Sequence, residues 1–335
     1  MRHLARFEGL VRFDRSDPGA IHYNLSLTPM RVFLTGATGY VGSAVLDAFV
    51  RAGHRVTALV RHSSSSPDNP SRPGVEPIVG DLSNPASYVT AAAACDTLVH
   101  AAFESSARGA SVDRVAVEAL MDVAARVTAA GRRVTVIYTS SASVLGNADS
   151  PVAEDATPSP PALVSWRPAH EAAVLDAAKH SGARALIVRP GIVYGGAQGA
   201  IADLLQAAAD GLMRVVGDGS NRWPSIYDRD LADLYVRLAS HPDAAGVFHA
   251  TDHADERVDD IVEAIARHAR TRPDVRHVPL TEARQKPGPY ADALTLDQVV
   301  RSPRALAIGW SPSLHSITGN VARLLEEYRS AQAAA

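Results

Sequence analysis

Short apolar segments alternate with segments of helical periodicity along most of this chain, and this alternation limits its possible folds more than any other feature. The apolar segments cover residues 31–35, 55–60, 76–79, 97–100, 133–139, 184–189 and 246–251. Two intervening segments, 41–53 and 115–131, place apolar residues at helical spacing and end on a glycine. Strands joined by helical crossovers form a parallel sheet with helices on both faces. The sequence therefore predicts an α/β fold with a doubly wound parallel sheet.

A glycine-rich turn, TGATGYVG, follows the first predicted strand and opens the first predicted helix. In this context Gly36 permits a tight turn, Gly39 allows the backbone to approach a pyrophosphate, and Gly42 allows close helix packing. The helix N-terminus then faces the phosphate charge. The pattern predicts a Rossmann-like dinucleotide site rather than a turn without a ligand. Its predicted binding residues are Thr35, Gly36, Thr38, Gly39, Tyr40, Val41 and Gly42.

The end of the second predicted strand indicates which nucleotide binds. An acidic residue at this place holds the adenosine ribose of NAD, whereas an arginine accommodates the additional phosphate of NADP. Arg61 stands here with His62 and Ser63 beside it, so we expect NADP(H) to be preferred and NAD(H) to be possible. A solvated arginine is the alternative. Asp81 and Leu82 after the third strand flank the adenine in this interpretation, although Asp81 can equally cap the following turn.

Composition excludes several classes of partner. The 335 residues carry a formal net charge of −3, which gives no general attraction to nucleic acid or to an anionic membrane. No apolar run is long enough to span a bilayer. The 13 histidines lack zinc-site spacing and Cys95 is the single cysteine, so we predict no metal site. A cytoplasmic protein with a small-molecule substrate is the expectation.

The chain divides into three regions. Residues 1–29 form an extension of uncertain status, either a loosely attached arm or a segment that precedes the true start at Met30. Residues 30–190 form the predicted NAD(P)-binding domain. Residues 191–330, where the pattern becomes less regular, form a smaller substrate-binding region that returns a strand, at about 246–251, to the sheet.

Seven motifs occur in the order typical of one family. They are TGATGYVG, GDL, VHAA, YTSSASVLG, RPGIVYG, GDGSNRWPSIYDRDLADL and LAIGWSP. Together they resemble the extended short-chain dehydrogenase/reductase group, also called the NAD-dependent epimerase/dehydratase family, over about residues 30–315. The resemblance implies that the cofactor lies on the sheet, in contact with Ala101, Ala102, Thr139 and Pro190. It also implies a homodimer formed through the helix that follows Trp166.

The chain departs from this family at the catalytic pair. The resemblance assigns Ser141 to the serine that binds a substrate oxygen, but Trp166 and His170 stand where the family has tyrosine and lysine. A tryptophan N–H does not exchange protons near neutral pH, whereas a histidine titrates there. His170 can therefore be an acid, a base or a ribose ligand, or else a structural residue. An intact glycine motif without the Tyr/Lys pair resembles the atypical subgroups of the family.

Three functions are compatible with this site. The first is reduction of a carbonyl or related unsaturated group of a small molecule by an NADP(H)-preferring oxidoreductase, with His170, Tyr194, Ser141 through water, or solvent as proton donor. The second is non-redox isomerisation, dehydration or cyclisation, and the third is nucleotide sensing without turnover. We favour the first. The predicted substrate pocket contains Phe103, Ser141, Trp166, Tyr194, Arg222 and Trp223, with packing roles as the alternative for Phe103, Arg222 and Trp223.

Overall fold

The computed structural model describes residues 28–61, 70–285 and 290–334. Most of the amino-terminal extension, together with His62 and Ser63, lies outside the described residues. The strands are β1 Arg31–Thr35, β2 Arg55–Val60, β3 Val75–Val79, β4 Thr97–His100, β5 Thr135–Thr139, β6 Ala148–Val152, β7 Arg184–Pro190, β8 Ile192–Tyr194, β9 Leu212–Val216, β10 Arg222–Trp223, β11 Ser225–Tyr227, β12 Gly246–Ala250, β13 Glu256–Arg257, β14 Asp274–Val278 and β15 Gln298–Val300. The helices are α1 Tyr40–Arg51, α2 Val89–Ala93, α3 Gly109–Ala129, α4 Arg167–Ser181, α5 Ala200–Ala209, α6 Asp228–Ser240, α7 Val258–His268, α8 Leu280–Ala283, α9 Tyr290–Leu294, α10 Pro303–Ala307 and α11 Val321–Ala334.

Seven of the described strands form one parallel sheet in the order β12-β7-β5-β4-β1-β2-β3. This sheet confirms the α/β prediction, and each of its strands begins within two residues of the predicted apolar segment. The order reverses between β1 and β4, which pair directly. In a doubly wound sheet, ligands bind in the crevice outside the carboxyl ends of the strands at this reversal.

Two apolar cores cover the two faces of the sheet. On one face α1 and α6 pack against the sheet through residues such as Phe49 and Leu234. On the other face α2, α3 and α4 enclose Leu98, Leu120 and Val174. Burial on both faces explains why the strands are continuously apolar rather than alternating.

The carboxyl-terminal region forms a third core on α5, α7 and α11. It adjoins the sheet at the carboxyl end of β7, because β8 follows β7 after a single residue and pairs with β11. Tyr40 of α1 ties the region to the nucleotide half of the molecule by donating a hydrogen bond to the Gly195 carbonyl oxygen at 2.8 Å. The region therefore covers the crevice from one side. In the described part of the chain no helix has the length and apolar character of a membrane span.

A buried ion pair fixes α4 to the sheet. Arg189 of β7 and Glu171 of α4 are both 4% exposed. The arginine Nε lies 3.0 Å from Oε1 of the glutamate, and its Nη2 lies 2.5 Å from Oε2. This two-point contact satisfies both charges where water is excluded. Loss of either partner leaves the other charge buried without compensation.

We expect Glu171→Gln to lower the free energy of unfolding by about 3–5 kcal/mol, because the Arg189 guanidinium then stays buried without a counter-charge. Urea denaturation followed by circular dichroism measures this change. Glu118→Gln is the matched control, since Glu118 pairs with Arg114 at 3.1 Å on the exposed face of α3 and such pairs contribute about 0.5 kcal/mol or less. Equal effects of the two substitutions would contradict the assigned role of the buried pair.

Candidate active site

The glycine-rich turn is shaped by close backbone contacts. Gly36 has a φ of +80°, and a Cβ at this position would lie 2.7 Å from the Ala101 oxygen and the Ala102 nitrogen. A Cβ on Gly42 would lie 1.9 Å from the Gly36 oxygen. Only glycine fits at either position. Gly39 caps α1 without a side chain, so the first N–H groups of the helix remain free to bind an anion.

A cleft of about 600 Å³ begins at this turn, and we call it the nucleotide cleft. The predicted cofactor residues that line it are Thr35, Gly36, Thr38, Gly39, Tyr40, Val41, Arg61, Asp81, Leu82, Ala101 and Ala102. Phe103, predicted for the substrate pocket, also lines this cleft. Gly42 does not line the cleft but packs against the Gly36 carbonyl of the turn. The free helix N-terminus, the glycine cradle and the cleft beside it fit a dinucleotide.

The Asp81 carboxylate forms hydrogen bonds within a turn. Its Oδ1 accepts hydrogen bonds from the backbone and the hydroxyl of Ser83, at 2.7 and 2.6 Å. These bonds lower the pKa of the Asp81 carboxyl below its ordinary value. Asp81 therefore caps this turn as an anion while it borders the cleft, so the two interpretations of this residue are compatible.

A second cavity, of about 230 Å³, adjoins the nucleotide cleft and shares Tyr40 and Val41 with its walls. We call it the Ser141 cavity, because Ser141 lines it directly after β5. The Ser141 Oγ lies 3.0 Å from the Ser143 hydroxyl and accepts a hydrogen bond from the Ser143 N–H at 3.1 Å. Pro190 and Trp223 also line this cavity. Pro190 thus lies beside the predicted substrate rather than in the nucleotide cleft.

Trp166 and His170 pack against each other at the start of α4, with ring centroids 4.8 Å apart. The Trp166 indole N–H donates to the Leu163 carbonyl oxygen at 3.2 Å. Its ring stacks on Phe103 with centroids 5.6 Å apart, which connects this pair to the nucleotide cleft. Because its only donor is used, Trp166 does not offer a hydrogen bond to a substrate oxygen.

His170 belongs to a buried polar network centred on Asp113 of α3. Its Nδ1 lies 2.7 Å from Asp113 Oδ2, which also accepts from the Tyr138 hydroxyl at 2.8 Å. The His100 Nε2 lies 3.3 Å from the other carboxylate oxygen. The His100 Nδ1 in turn lies 2.7 Å from the Thr35 hydroxyl. A chain of polar contacts therefore runs from the glycine turn to His170.

Asp113 remains ionised in this network. Burial by itself would raise its pKa, but the neighbouring His100 ring and the hydrogen bonds from His170 and Tyr138 outweigh burial and hold the pKa of Asp113 well below its usual range. The carboxylate fixes the orientation of the His170 ring. Among the described residues, the remaining His170 nitrogen, Nε2, has no hydrogen-bond partner.

Arg167 is a site residue that the sequence analysis missed. Its guanidinium lies 4.5 Å from the Trp166 ring centroid and 5.3 Å from that of Phe103. Its Nη1 donates to the Thr139 carbonyl oxygen at 3.1 Å. Thr139 is held further by a 2.6 Å contact between its hydroxyl and that of Tyr235. Arg167 therefore places a positive charge at the carboxyl end of β5, whereas the family motif gave reason to look only at the lysine position.

Two predicted pocket residues lie elsewhere. Tyr194 is fully buried in the third core, packs on Tyr227, and lines neither the nucleotide cleft nor the Ser141 cavity. Burial and the neighbouring Asp252 raise the pKa of Tyr194, and burial raises that of Asp252 to about 7. The prediction that Tyr194 is a catalytic pocket residue is corrected on this ground, because its side chain is buried away from both cavities.

Arg222 has the structural role that was the alternative to substrate contact. Its guanidinium pairs with Asp297, with Nη2 2.6 Å from Oδ2 and Nε 2.8 Å from Oδ1. It braces β10 against the segment before β15 and lines neither cavity. Trp223 beside it does line the Ser141 cavity, with its indole N–H donating to the Leu294 carbonyl oxygen at 3.0 Å. Of the two residues predicted to contact substrate, Trp223 lines the Ser141 cavity and Arg222 does not.

We expect Gly36→Ala to weaken nicotinamide nucleotide binding at least about tenfold, because the added methyl displaces the turn from Ala101 and Ala102. Fluorescence titration of the folded variant measures the dissociation constant. Gly53→Ala is the matched control. It introduces the same strain at a φ of +82°, but its Cβ would meet no atom within 4 Å. If Gly53→Ala weakened binding equally, the close contact at the turn would not be the cause.

Solved structures with this fold carry nicotinamide nucleotides. The UDP-glucose 4-epimerase of Thermus thermophilus, solved with NAD, superposes with a TM-score of 0.75 at 19% identity, and the match covers 90% of this chain and 100% of that one. A human epimerase family protein solved with NADPH gives a TM-score of 0.69 at 20% identity, over 89% and 99% of the two chains. These similarities show the fold.

Curated relatives are more similar in sequence. An uncharacterised protein of Schizosaccharomyces pombe is 28% identical over 88% of this chain and 98% of its own length. A 2-alkyl-3-oxoalkanoate reductase of Stenotrophomonas maltophilia is 30% identical over 64% of this chain and 68% of its own length. The model of the NAD dependent epimerase/dehydratase family matches residues 32–251. This chain therefore belongs to the NAD-dependent epimerase/dehydratase family.

Proposed function

We propose that this protein is an NADP(H)-preferring reductase that acts on a carbonyl, or a related unsaturated group, of a small organic molecule. The observation that carries the proposal is the junction of two cavities. The nucleotide cleft and the Ser141 cavity share the walls formed by Tyr40 and Val41. A group bound in the second cavity is therefore held next to the end of the first, as a reaction between nucleotide and substrate requires.

The nucleotide is held by this chain's own groups. The free N–H groups at the start of α1 bind the pyrophosphate, and the glycine turn permits its approach. Arg61 lines the cleft at the end of β2, and the Asp81 carboxylate, which also borders the cleft, is engaged by Ser83. A cation at the ribose end favours the phosphorylated nucleotide. When bound, the nicotinamide nucleotide supplies a hydride.

In this proposal Ser141 binds the substrate oxygen and His170 supplies its proton. The Ser141 hydroxyl hydrogen-bonds the carbonyl oxygen in the cavity that it lines. His170 lines neither cavity, so in this proposal its doubly protonated imidazole gives the Nε2 proton to the substrate oxygen through water, while Asp113 holds Nδ1 and the indole of Trp166 lacks an exchangeable proton. Asp113 acts as a positioning residue. Its carboxylate binds Nδ1 and thereby orients the imidazole, as a carboxylate orients a catalytic histidine elsewhere.

Two relatives support carbonyl reduction. One is the 2-alkyl-3-oxoalkanoate reductase. The other, from Stigmatella aurantiaca, is a ketoreductase of a farnesylated quinoline oxide and is 25% identical over 76% of this chain and 78% of its own length. Both names describe reduction at a keto group. The homodimer and the cytoplasmic location stay predictions from the sequence.

We expect wild-type protein to bind NADPH more tightly than NADH, and Arg61→Asp to weaken NADPH binding by about tenfold to a hundredfold, because one charge-assisted contact contributes about 1.5–3 kcal/mol. Calorimetric titration with both nucleotides measures this. Arg55→Asp is the control, since Arg55 is exposed at the opposite end of the same strand. Equal affinities for the two nucleotides in the wild type would remove the NADP preference.

We expect His170→Ala to lower kcat by about 10²–10⁴, the usual contribution of general acid catalysis, with NADPH affinity unchanged. A ketone from an aldehyde, ketone and enone panel serves as substrate, and NADPH oxidation is followed by absorbance. Added imidazole restores part of the lost rate if His170 supplies the proton. His180→Ala, at an exposed position on the same helix, is the control.

The results separate the competing functions. An unchanged kcat in His170→Ala would move the proton transfer to Ser141 or solvent. Tight NADPH binding with no oxidation on any panel member would contradict the reductase and favour non-redox chemistry on the same scaffold. Absence of nucleotide binding would contradict both.

A further inference from the structure

A third cavity lies beside the Ser141 cavity, and we call it the apolar cavity. Its volume is about 230 Å³. It shares four wall residues with the Ser141 cavity: Ala200, Trp223, Tyr290 and Leu294. This volume is far above the roughly 10–15 Å³ that a single water needs. The two cavities are therefore adjacent, with the apolar cavity on the side of the carboxyl-terminal region.

Most of the remaining walls of the apolar cavity are hydrocarbon. Leu204 and Ala207 of α5 face it, together with Leu212 and Val216 of β9. The two charged side chains among its described residues, Asp203 and Arg214, are opposite in sign and exposed. A hydrocarbon group in this cavity would lose water contact without leaving a polar partner unsatisfied.

The aromatic walls are arranged for apolar contact. Trp223 is 5% exposed, and the bond from its indole N–H to Leu294 holds the ring in place between the two cavities. Tyr290, in contrast, is 46% exposed although it is a large aromatic residue. A bound apolar group would cover the exposed part of this ring.

The charge of the walls argues against an anionic substrate. The described residues that line the Ser141 cavity include no lysine, arginine or histidine. Arg214 is the single cation among those of the apolar cavity. A nucleoside diphosphate carries at least two negative charges, and burying them here would remove their hydration without providing the guanidinium or ammonium donors that replace it.

We propose that the substrate is an uncharged ketone or enone with a hydrocarbon tail, whose carbonyl lies at Ser141 and whose tail occupies the apolar cavity. The position of the carbonyl rests on the proposed reductase function, whereas the position of the tail rests on the walls of the apolar cavity. The tail contributes binding free energy in proportion to the apolar area that it buries. That contribution fixes the carbonyl beside the nucleotide cleft.

A chain-length series tests the proposal. Methyl ketones from butanone to decanone are reduced with NADPH, and kcat/KM is measured for each. We expect kcat/KM to rise about three- to fourfold per added methylene, the factor that corresponds to about 0.8 kcal/mol per buried CH₂, until the cavity is filled. Binding of the matching secondary alcohols, measured by calorimetry without added nucleotide, gives a second readout that needs no turnover.

A pair of variants on α5 locates the tail. Ala207→Phe fills the apolar cavity, so we expect the ratio of kcat/KM for decanone to that for butanone to fall close to one. Ala209→Phe places the same ring on the exposed side of the same helix and serves as the control. Both variants are checked for folding by circular dichroism.

The outcomes distinguish the two proposals. Reduction of ketones with no dependence on chain length, or tight binding of UDP-glucose that Ala207→Phe abolishes, would overturn the apolar-tail inference and leave nucleotide-dependent reduction to be judged on its own result. Alcohol binding that increases with length and is lost in Ala207→Phe, without reduction of any ketone, would support the apolar cavity while the reductase function fails.

Discussion

The close contact between Gly36 and Gly42 determines where everything else in the site can lie. With Gly42 packed against the Gly36 carbonyl, α1 starts shortly after the end of β1, beside the paired strands β1 and β4 where the strand order reverses. The free N–H groups of the helix are thereby aimed into the crevice. The same turn contacts Ala101 and Ala102, so that the end of β4 is held in register with it. The backbone contacts of Gly36 thus align β1, β4 and α1 around the nucleotide cleft.

A buried carboxylate has the corresponding role on the other face of the sheet. Asp113 is 3% exposed. A charge so buried is stable only when hydrogen bonds replace its hydration, and here His100, His170 and Tyr138 do so. Because these partners belong to β4, α4 and β5, the carboxylate connects three elements. The orientation of His170 is therefore a consequence of how the core is built and does not require a bound substrate.

The sequence predicted what depends on local pattern. The sheet strands were located within two residues because strands buried on both faces are continuously apolar, and the glycine turn was recognised because its context is local. The errors concern partners distant in sequence. Tyr194 faces Asp252, and Arg222 pairs with Asp297. Neither partner is visible from periodicity.

The position of Asp113 among apolar residues is a signal of a buried polar site that the sequence itself contains. Asp113 comes just before the predicted helical segment 115–131, and the structure starts this helix earlier, at Gly109. Its neighbours Val112, Ala116 and Val117 are buried. A charged residue among buried neighbours requires a polar partner. The identity of that partner, 57 positions later in the chain, could come only from the structure.

The replacement of the family's catalytic pair by Trp166 and His170 is best understood through charge. A lysine at position 170 would be an ammonium beside the Asp113 carboxylate, whereas His170 can bind the same carboxylate through Nδ1 and still present a second nitrogen. The fixed positive charge is then supplied from the next turn back, by Arg167, whose guanidinium is anchored on the Thr139 carbonyl oxygen and lies over the Trp166 ring. Trp166 accordingly has a physical role where the family has tyrosine. It holds the arginine by a cation–π contact and packs against Phe103 at the wall of the nucleotide cleft. If the proposed proton transfer by His170 holds, charge and proton transfer, which the family combines in one lysine and one tyrosine, are divided between Arg167 and His170.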